Sequence, residues 1–476
     1  MHRSLLFLFL FLFSTLSAQT ARVLSLQECV QIALENNLQI RRSNYNLQSA
    51  EINLLQSRMA LLPTFNIGSG YGKNFGRAIN PVTNTFINRN SNTLNLQGAG
   101  SLTLFNGFRL SYATKQSLRD YQAGGQDLAK MKNDVTLNVV TLYTNVIFNK
   151  ELLDNSRFQL ESAQEQLGRI KKQVEAGSLP KSNELNQEAQ VATAEVTLIN
   201  QENALNLSLL QLKQLLQIPG SELIDISIPA IIAEDLVLEN SPEQIFSIAR
   251  ELMPEIKGAM LRVQSAGYGL RSVKGNFYPR LSFTAAAQSN YSSISNMQRT
   301  EISGYQLSAN PIGLVGTTND PVYAYQPVYN VISPDYNMRA QLSDNIFKTF
   351  NLQLSVPLFN GLQTRAAVQR AVVNKKLAEV SRQESENTLR QSIETAYNDA
   401  LAASKSYAAS VKQVNARNEA YRMTKQRFEI GASNYVEYRI SENDLFQAKS
   451  DLARAKYNFI FRKKLLDFYQ GKSITL

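Results

Sequence analysis

The residues able to carry acid–base, nucleophilic or metal chemistry are few in this chain: one histidine, His2, one cysteine, Cys29, and 39 Asp and Glu over 476 residues. His2 and Arg3 open a short polar start, Leu5 to Phe13 is unbroken apolar, and Leu16-Ser17-Ala18 supplies small residues before Gln19. That order reads as a signal peptide over 1–18, whose removal takes the histidine with it. A chain left with no histidine and one cysteine cannot build a Ser-His-Asp or Cys-His nucleophile, a His-ligated metal centre or a cysteine-rich zinc site. The carboxylates are dispersed over polar helix faces, so no pair is poised for general acid and base roles. The chain is expected to be no enzyme, with no cofactor and no metal. Cys29 lies in an amphipathic stretch, reads as a small core residue, and has no partner for an intramolecular disulfide.

The formal charge is +10, with Lys and Arg spread along both halves. Nucleic-acid binding wants such bases clustered with stacking aromatics, so no nucleic-acid partner is expected. No stretch after residue 18 approaches the roughly 18 apolar residues of a spanning helix. If this chain crosses a membrane, it does so in a closed β-barrel.

The elements that hold the remaining features come in two copies. An offset of 216 aligns Ile32, Ala33, Glu35, Gln48 and Pro63 with Ile248, Ala249, Glu251, Gln264 and Pro279 without a gap. An offset of 254 lays Leu-Phe-Asn-Gly at 104–107 on the same four residues at 358–361, Gly177 on Gly431, and Glu188 on Glu442. The repeated unit runs over 26–217 and 242–470, which divides the chain into a first repeat (19–217), an inter-repeat segment (218–241) and a second repeat (242–476). Such duplication constrains the fold more than any single motif.

Each unit reads helix, strand, loop, strand, long helix, tight turn, helix. Leu94, Leu96, Leu102 and Leu104 alternate with Asn95, Gln97, Ser101 and Thr103, and Phe350, Leu352 and Leu354 alternate with Asn351, Gln353 and Ser355. Phe65, Ile67 and Tyr71 give a third strand, and Leu281 and Phe283 begin a fourth; this is the pattern of strands with one apolar and one polar face. Pro63 and Pro279 break the helix before each first strand. Asn106-Gly107 and Asn360-Gly361 supply positive-φ geometry where strand becomes helix. Val139, Val146, Leu153, Leu160, Leu167 and Val174 hold one heptad register through the first long helix, 108–176, which predicts coiled-coil packing with the returning helix 181–217. The first helix of the unit is expected as one element over 26–61. Residues 297–345, rich in Tyr, Asn, Pro and Gly, are expected to form a long extracellular loop in the second strand hairpin. Four strands cannot close a barrel, since the smallest membrane barrels use about eight, so several chains must share one.

The duplicated unit with its stops at Leu62-Pro63 and Tyr278-Pro279, its Leu-Phe-Asn-Gly corners, and its turns Glu-Ala-Gly-Ser at 175–178 and Glu-Ile-Gly-Ala-Ser at 429–433 resembles the TolC-like outer-membrane efflux family. The resemblance covers nearly all of the chain after the signal peptide. It implies a mainly α protein with a membrane β part: a homotrimer with a 12-stranded shared β-barrel in outer-membrane lipid and a long α-helical coiled-coil barrel across the periplasm of a Gram-negative cell. It implies the function of an exit duct for tripartite efflux or type I secretion, with a periplasmic adaptor as partner and an inner-membrane pump or secretion ATPase behind it. The alternative is a stand-alone outer-membrane channel or surface receptor. By resemblance the adaptor-contacting tips are Gly177, Ser178, Leu179 and Pro180, and Gly431, Ala432, Ser433 and Asn434. The aperture candidates are Phe428, Glu437 and Asn183; Ile440, Phe428 and Ser433 stand where the family's second acid, tyrosine and arginine are found, so an identical gate is not implied.

Overall fold

The computed structural model describes residues 22–79, 86–228 and 240–472; the signal-peptide reading and residues 229–239 of the inter-repeat segment lie outside them. In chain order the first repeat holds β1 (Arg22–Leu24), α1 (Leu26–Asn36), α2 (Leu38–Met59), β2 (Thr64–Asn74), β3 (Arg77–Ile79), β4 (Phe86–Asn88), β5 (Ser91–Phe105), α3 (Arg109–Glu175) and α4 (Lys181–Leu216), with β6 (Ile224–Ile226) after it. The second holds α5 (Pro242–Leu252), α6 (Pro254–Lys274), β7 (Arg280–Ser292), β8 (Met297–Leu307), β9 (Gly313–Leu314), β10 (Pro321–Val322), β11 (Tyr325–Asp335), α7 (Met338–Asp344), β12 (Phe347–Ser355), α8 (Gln363–Glu429) and α9 (Tyr435–Tyr469). Among the described residues no helix is long and apolar enough to cross a membrane, and no group of three or more His, Cys, Asp or Glu is placed to hold a metal ion.

The described residues fall into two compact units, one of 22–52, 118–228, 240–265 and 375–472, the other of 53–79, 86–117 and 266–374. The first is helical. Its largest core gathers Cys29, Ala33, Val139, Tyr143, Ile147, Leu212 and Leu216 with Leu24, Ile224 and Ile226, from a two-stranded parallel sheet of β1 and β6. Tyr143 is fully buried and donates its hydroxyl to the Ser227 carbonyl at 2.5 Å, while Lys150 pairs with Asp225 at 2.8 Å; together they tie this sheet to α3. A second core sets Ile245, Phe246, Ala249 and Ile256 against Leu389, Ile393, Ala396 and Ala400 of α8. α3 and α8 have 67 residues each, about 100 Å at 1.5 Å per residue.

The single helix expected over 26–61 is broken. Asn37 turns extended (φ −63°, ψ 127°), and its side-chain oxygen accepts from the Gln39 N–H at 2.9 Å, so it ends α1 and caps α2. Its counterpart in the second repeat is Met253 (φ −68°, ψ 129°), held out of the helical region by Pro254.

The second unit is built on a four-stranded antiparallel sheet in the order β12-β7-β5-β2. Phe65, Gly100, Ala285 and Phe350 share one face, and Thr64, Ser101, Thr284 and Asn351 share the other. The sheet is thus apolar on one side and lined by hydroxyls and amides on the other, and β2 and β12 are both open edges. The expected loop at 297–345 is instead largely ordered: β8 and β11 form a ladder from Met297↔Asp335 to Leu307↔Tyr325, and α7 follows. Period-two alternation in this stretch is interrupted by prolines and glycines, which hid the strands.

Candidate functional site

Each strand-to-helix corner turns through two consecutive left-handed residues, Gly107 (φ 65°) with Phe108 (φ 60°), and Gly361 (φ 61°) with Leu362 (φ 64°). Glycine adopts this conformation freely; the residue after it does so at a cost of about 1–2 kcal/mol. Helix formation offsets that strain at once: the Phe108 carbonyl accepts from the Tyr112 N–H and the Leu362 carbonyl from the Ala366 N–H, both at 2.9 Å. The Asn106 and Asn360 carbonyls accept from Arg109 and Gln363, both at 3.3 Å. A Cβ on Gly107 would stand 2.4 Å from the Gly275 carbonyl oxygen and 2.7 Å from the Tyr278 Cβ, whereas nothing lies within 4 Å of the same position on Gly361. Pro63 and Pro279 stand at the ends of the connections from α2 and α6 into β2 and β7.

The two helix turns end α3 and α8 with left-handed glycines, Gly177 (φ 69°) and Gly431 (φ 78°). At the first, Ser178 N–H reaches the Gln173 carbonyl at 2.8 Å and Gly177 N–H the Val174 carbonyl at 2.9 Å; at the second, Ala432 N–H reaches Arg427 at 2.7 Å and Gly431 N–H reaches Phe428 at 3.0 Å. These paired bonds satisfy the last carbonyls of each helix. Pro180 and Asn434 begin the returning helices. Leu179 and Ser433 are half-buried and the other six turn residues are exposed. Around the second turn Ile430, Val436 and Ile440 are also exposed.

Just inside the turns lies a polar cluster joining the repeats. Glu442 of α9 is 2% exposed and its carboxylate accepts from Ser162 of α3 at 2.7 Å, from Tyr438 at 3.2 Å, and from Arg439 in an ion pair. Tyr435 donates to the buried Gln187, whose Nε2 donates to the Ala163 carbonyl at 2.8 Å. Burial raises the Tyr438 hydroxyl above the usual tyrosine range, and burial does the same for Tyr435. A buried carboxylate with three donors is satisfied, and removal of any one exposes the desolvation cost of the rest.

Residues 29–216 and 245–464 match the outer membrane efflux protein family. The chain belongs to that family. As an outer membrane efflux protein it is a channel component of the Gram-negative outer membrane with its helical part in the periplasm. It is 22% identical over 445 residues to "Outer membrane protein TolC" of Escherichia coli, covering 92% of this chain and 80% of that one. It is 21% identical to "Alkaline protease secretion protein AprF" of Pseudomonas aeruginosa, covering 96% of this chain and 87% of the other. Its fold is similar to the outer membrane protein VceC of Vibrio cholerae, with a TM-score of 0.71 at 12% identity over 94% of this chain and 97% of that chain.

In this efflux protein the three aperture candidates do not meet within one chain's hydrogen bonds. Phe428 stacks on Tyr438 at 5.1 Å between ring centroids. Glu437 is exposed; its carboxylate accepts from Ser433 at 2.5 Å and its N–H donates to Asn434 at 2.8 Å. Asn183 donates its N–H to the Pro180 carbonyl at 3.0 Å in the first turn of α4. The sequence reading missed Ser162, Gln187, Tyr438 and Glu442. The spacing of Tyr435, Tyr438, Arg439 and Glu442 at i, i+3, i+4 and i+7 marks one helix face and was the available signal. Glu188, the repeat counterpart of Glu442, pairs instead with Lys171 at 3.1 Å near the surface.

Proposed function

We propose that three copies of this chain share one 12-stranded barrel and one helical tube, and that the turns at 177–180 and 431–434 dock on a periplasmic adaptor serving an inner-membrane pump or secretion ATPase. The observation that carries this reading is an unequal treatment of equivalent junctions. Inside the chain, the second strand of the first repeat pairs with the first strand of the second, β5 with β7, and the Gly107 corner seats on Gly275 and Tyr278. The reciprocal junction, β12 with β2 and Gly361 with the end of α2, is left open: Leu358 is 93% exposed, Phe359 is 82% exposed, and Leu62 is exposed as well. α4 carries the same unmet demand, with Val196 and Ile199 exposed where their counterparts Ser450 and Ala453 in α9 are not. A junction made once within a chain and left open at its two ends is a head-to-tail interface, the kind that builds a ring where the rotation between copies closes.

Three copies supply twelve strands, the number the family resemblance carries. The sheet's amide and hydroxyl face then lines the lumen and its apolar face meets lipid. Glu437, held by Ser433 and Asn434, forms a ring at the periplasmic aperture and favours cations by its local field. Exposed Ile430, Val436 and Ile440 beside the second turn give an adaptor an apolar footing. Photo-crosslinkers placed at Ser178 and Ser433 in cells, with the captured protein identified by mass spectrometry, test the coupling. Capture of a periplasmic adaptor is expected; an assembled channel that captures nothing at either turn would instead be one that works alone.

A further inference from the structure

The β8–β11 ladder is a two-faced ribbon. Ile302, Tyr305 and Leu307 stand opposite Tyr329, Pro327 and Tyr325 on one face, while Glu301, Gly304 and Gln306 stand opposite Asn330, Val328 and Gln326 on the other; a bulge at Ser303 keeps the faces in phase. Every side chain of the first face except Pro327 is 51–71% exposed. An isolated two-stranded ribbon is marginal in water, and one that bares a row of Tyr, Ile and Leu needs a cover.

We propose that this face packs against the β3–β4 hairpin of the next copy of the chain, so that the three ribbons clasp their neighbours beyond the barrel rim. The inference rests on the shared-barrel reading. The ribbon joins β7 to the free edge β12, and the β3–β4 hairpin joins β5 to the other free edge, β2. Pairing of β12 with β2 between copies sets each ribbon beside a neighbouring hairpin, while its own hairpin, next to it through the β5–β7 pairing, leaves the face exposed. The two surfaces are complementary in chemistry. The contact itself is apolar, with Glu301 on the ribbon's other face and Asp320 outside the ladder, but the net charges attract at longer range. Residues 301–330 carry those two acids with no Lys or Arg, a net −2, and residues 73–79 and 86–89 carry Lys73, Arg77 and Arg89 with no acid, a net +3. The hairpin also presents exposed Phe75, Ile79 and Phe86, with Arg77 lying 4.2 Å above the Phe86 ring. Two ribbons approaching each other would repel through their like net charge, which disfavours that pairing.

The test uses the full chain in cells with Cys29→Ser as background. Tyr329→Cys with Phe86→Cys is expected to shift from monomer to disulfide-linked dimer and trimer on mild oxidation, and Asn330→Cys with Phe86→Cys, on the opposite face, to stay monomeric. A disulfide formed only within one chain, or equal multimer yield from both pairs, overturns the proposal. Single substitutions give a second reading: a membrane-impermeant maleimide is expected to label Gln306→Cys and to spare Tyr305→Cys, and equal labelling overturns it. The native mass of the detergent-extracted chain separates the two levels. A trimer without ribbon cross-links removes this proposal alone; a chain that never assembles removes the shared barrel with it.

Discussion

Ser162 and Glu442 lie 280 positions apart, in different repeats, and the serine hydroxyl donates to the buried carboxylate across 2.7 Å. The bond fixes α3 against α9 a few turns from the end of α3 at Glu175 and the start of α9 at Tyr435. Glu442→Ala leaves Arg439 without its carboxylate in a site where its side chain is 11% exposed; breaking such a pair costs about 3–5 kcal/mol. Ser162→Ala should cost nearer 1 kcal/mol. Heat-induced loss of helicity measures both, and a double-substitution cycle should return a coupling of about 0.5–3 kcal/mol. Additive effects would mean the contact contributes nothing specific.

Alkali should loosen the same region. Burial raises the Tyr438 hydroxyl above its unfolded value of 10.0, so the folded form holds the proton more tightly. This contribution is complete below pH 10 and declines as pH rises above it. Tyrosinate absorbance is expected to show several tyrosines ionising late, Tyr435 and Tyr457 among them, and Tyr438→Phe should lower the amplitude of that phase by one tyrosine.

The corner glycines should fail in different ways. Gly107→Ala meets both its positive φ and the Gly275 carbonyl, so folding of the chain itself should suffer, seen as lost yield of protease-resistant subunit. Gly361→Ala meets only the positive φ within the chain; its larger effect should fall on assembly, seen as a rise in monomer over trimer by native mass. Equal effects on yield and assembly from the two substitutions would contradict the open-junction argument.

Cys29 reports on the first core. Burial, the larger cause, and then the nearby Glu28 charge push its thiol up to about 12, and it is fully buried. Maleimide at pH 8 should leave it unlabelled in the folded chain and label it after denaturation. Tyr143→Phe, which removes the hydroxyl from the Ser227 carbonyl, should cost about 1–2 kcal/mol and speed that labelling.

Much of this architecture was written in local pattern. α3 and α8 follow from heptads bounded by Gly107, Gly177, Gly361 and Gly431, because a left-handed glycine both starts and stops a helix here. The sheet strands follow from strict alternation at Phe65–Tyr71 and Phe350–Leu354. Asn37 was not legible as a break: beside its local cap, its side-chain amide donates to the Leu215 carbonyl of α4 at 3.4 Å, a contact that the sequence around 37 does not display. The β1–β6 pair was not legible either: three-residue strands carry almost no periodicity. Glu442 was noticed only as a repeat marker, and its burial comes from α3, which the local sequence of α9 cannot display.

The parallel pairing of β1 with β6 also sets an order of events. A polypeptide is made from its N terminus, so Arg22 to Leu24 must wait unpartnered until Ile224 to Ile226 have been made. Parallel pairs between distant segments form late for the same entropic reason that long loops close slowly. When β6 arrives, it brings Ile224 and Ile226 onto a core already supplied by α1, α2, α3 and α4, with Tyr457, Ile460 and Phe461 still to come from the last helix. The first core is therefore nearly complete from first-repeat residues and β6 alone, whereas the second core draws on α5, α6, α8 and α9 and waits for the end of the chain.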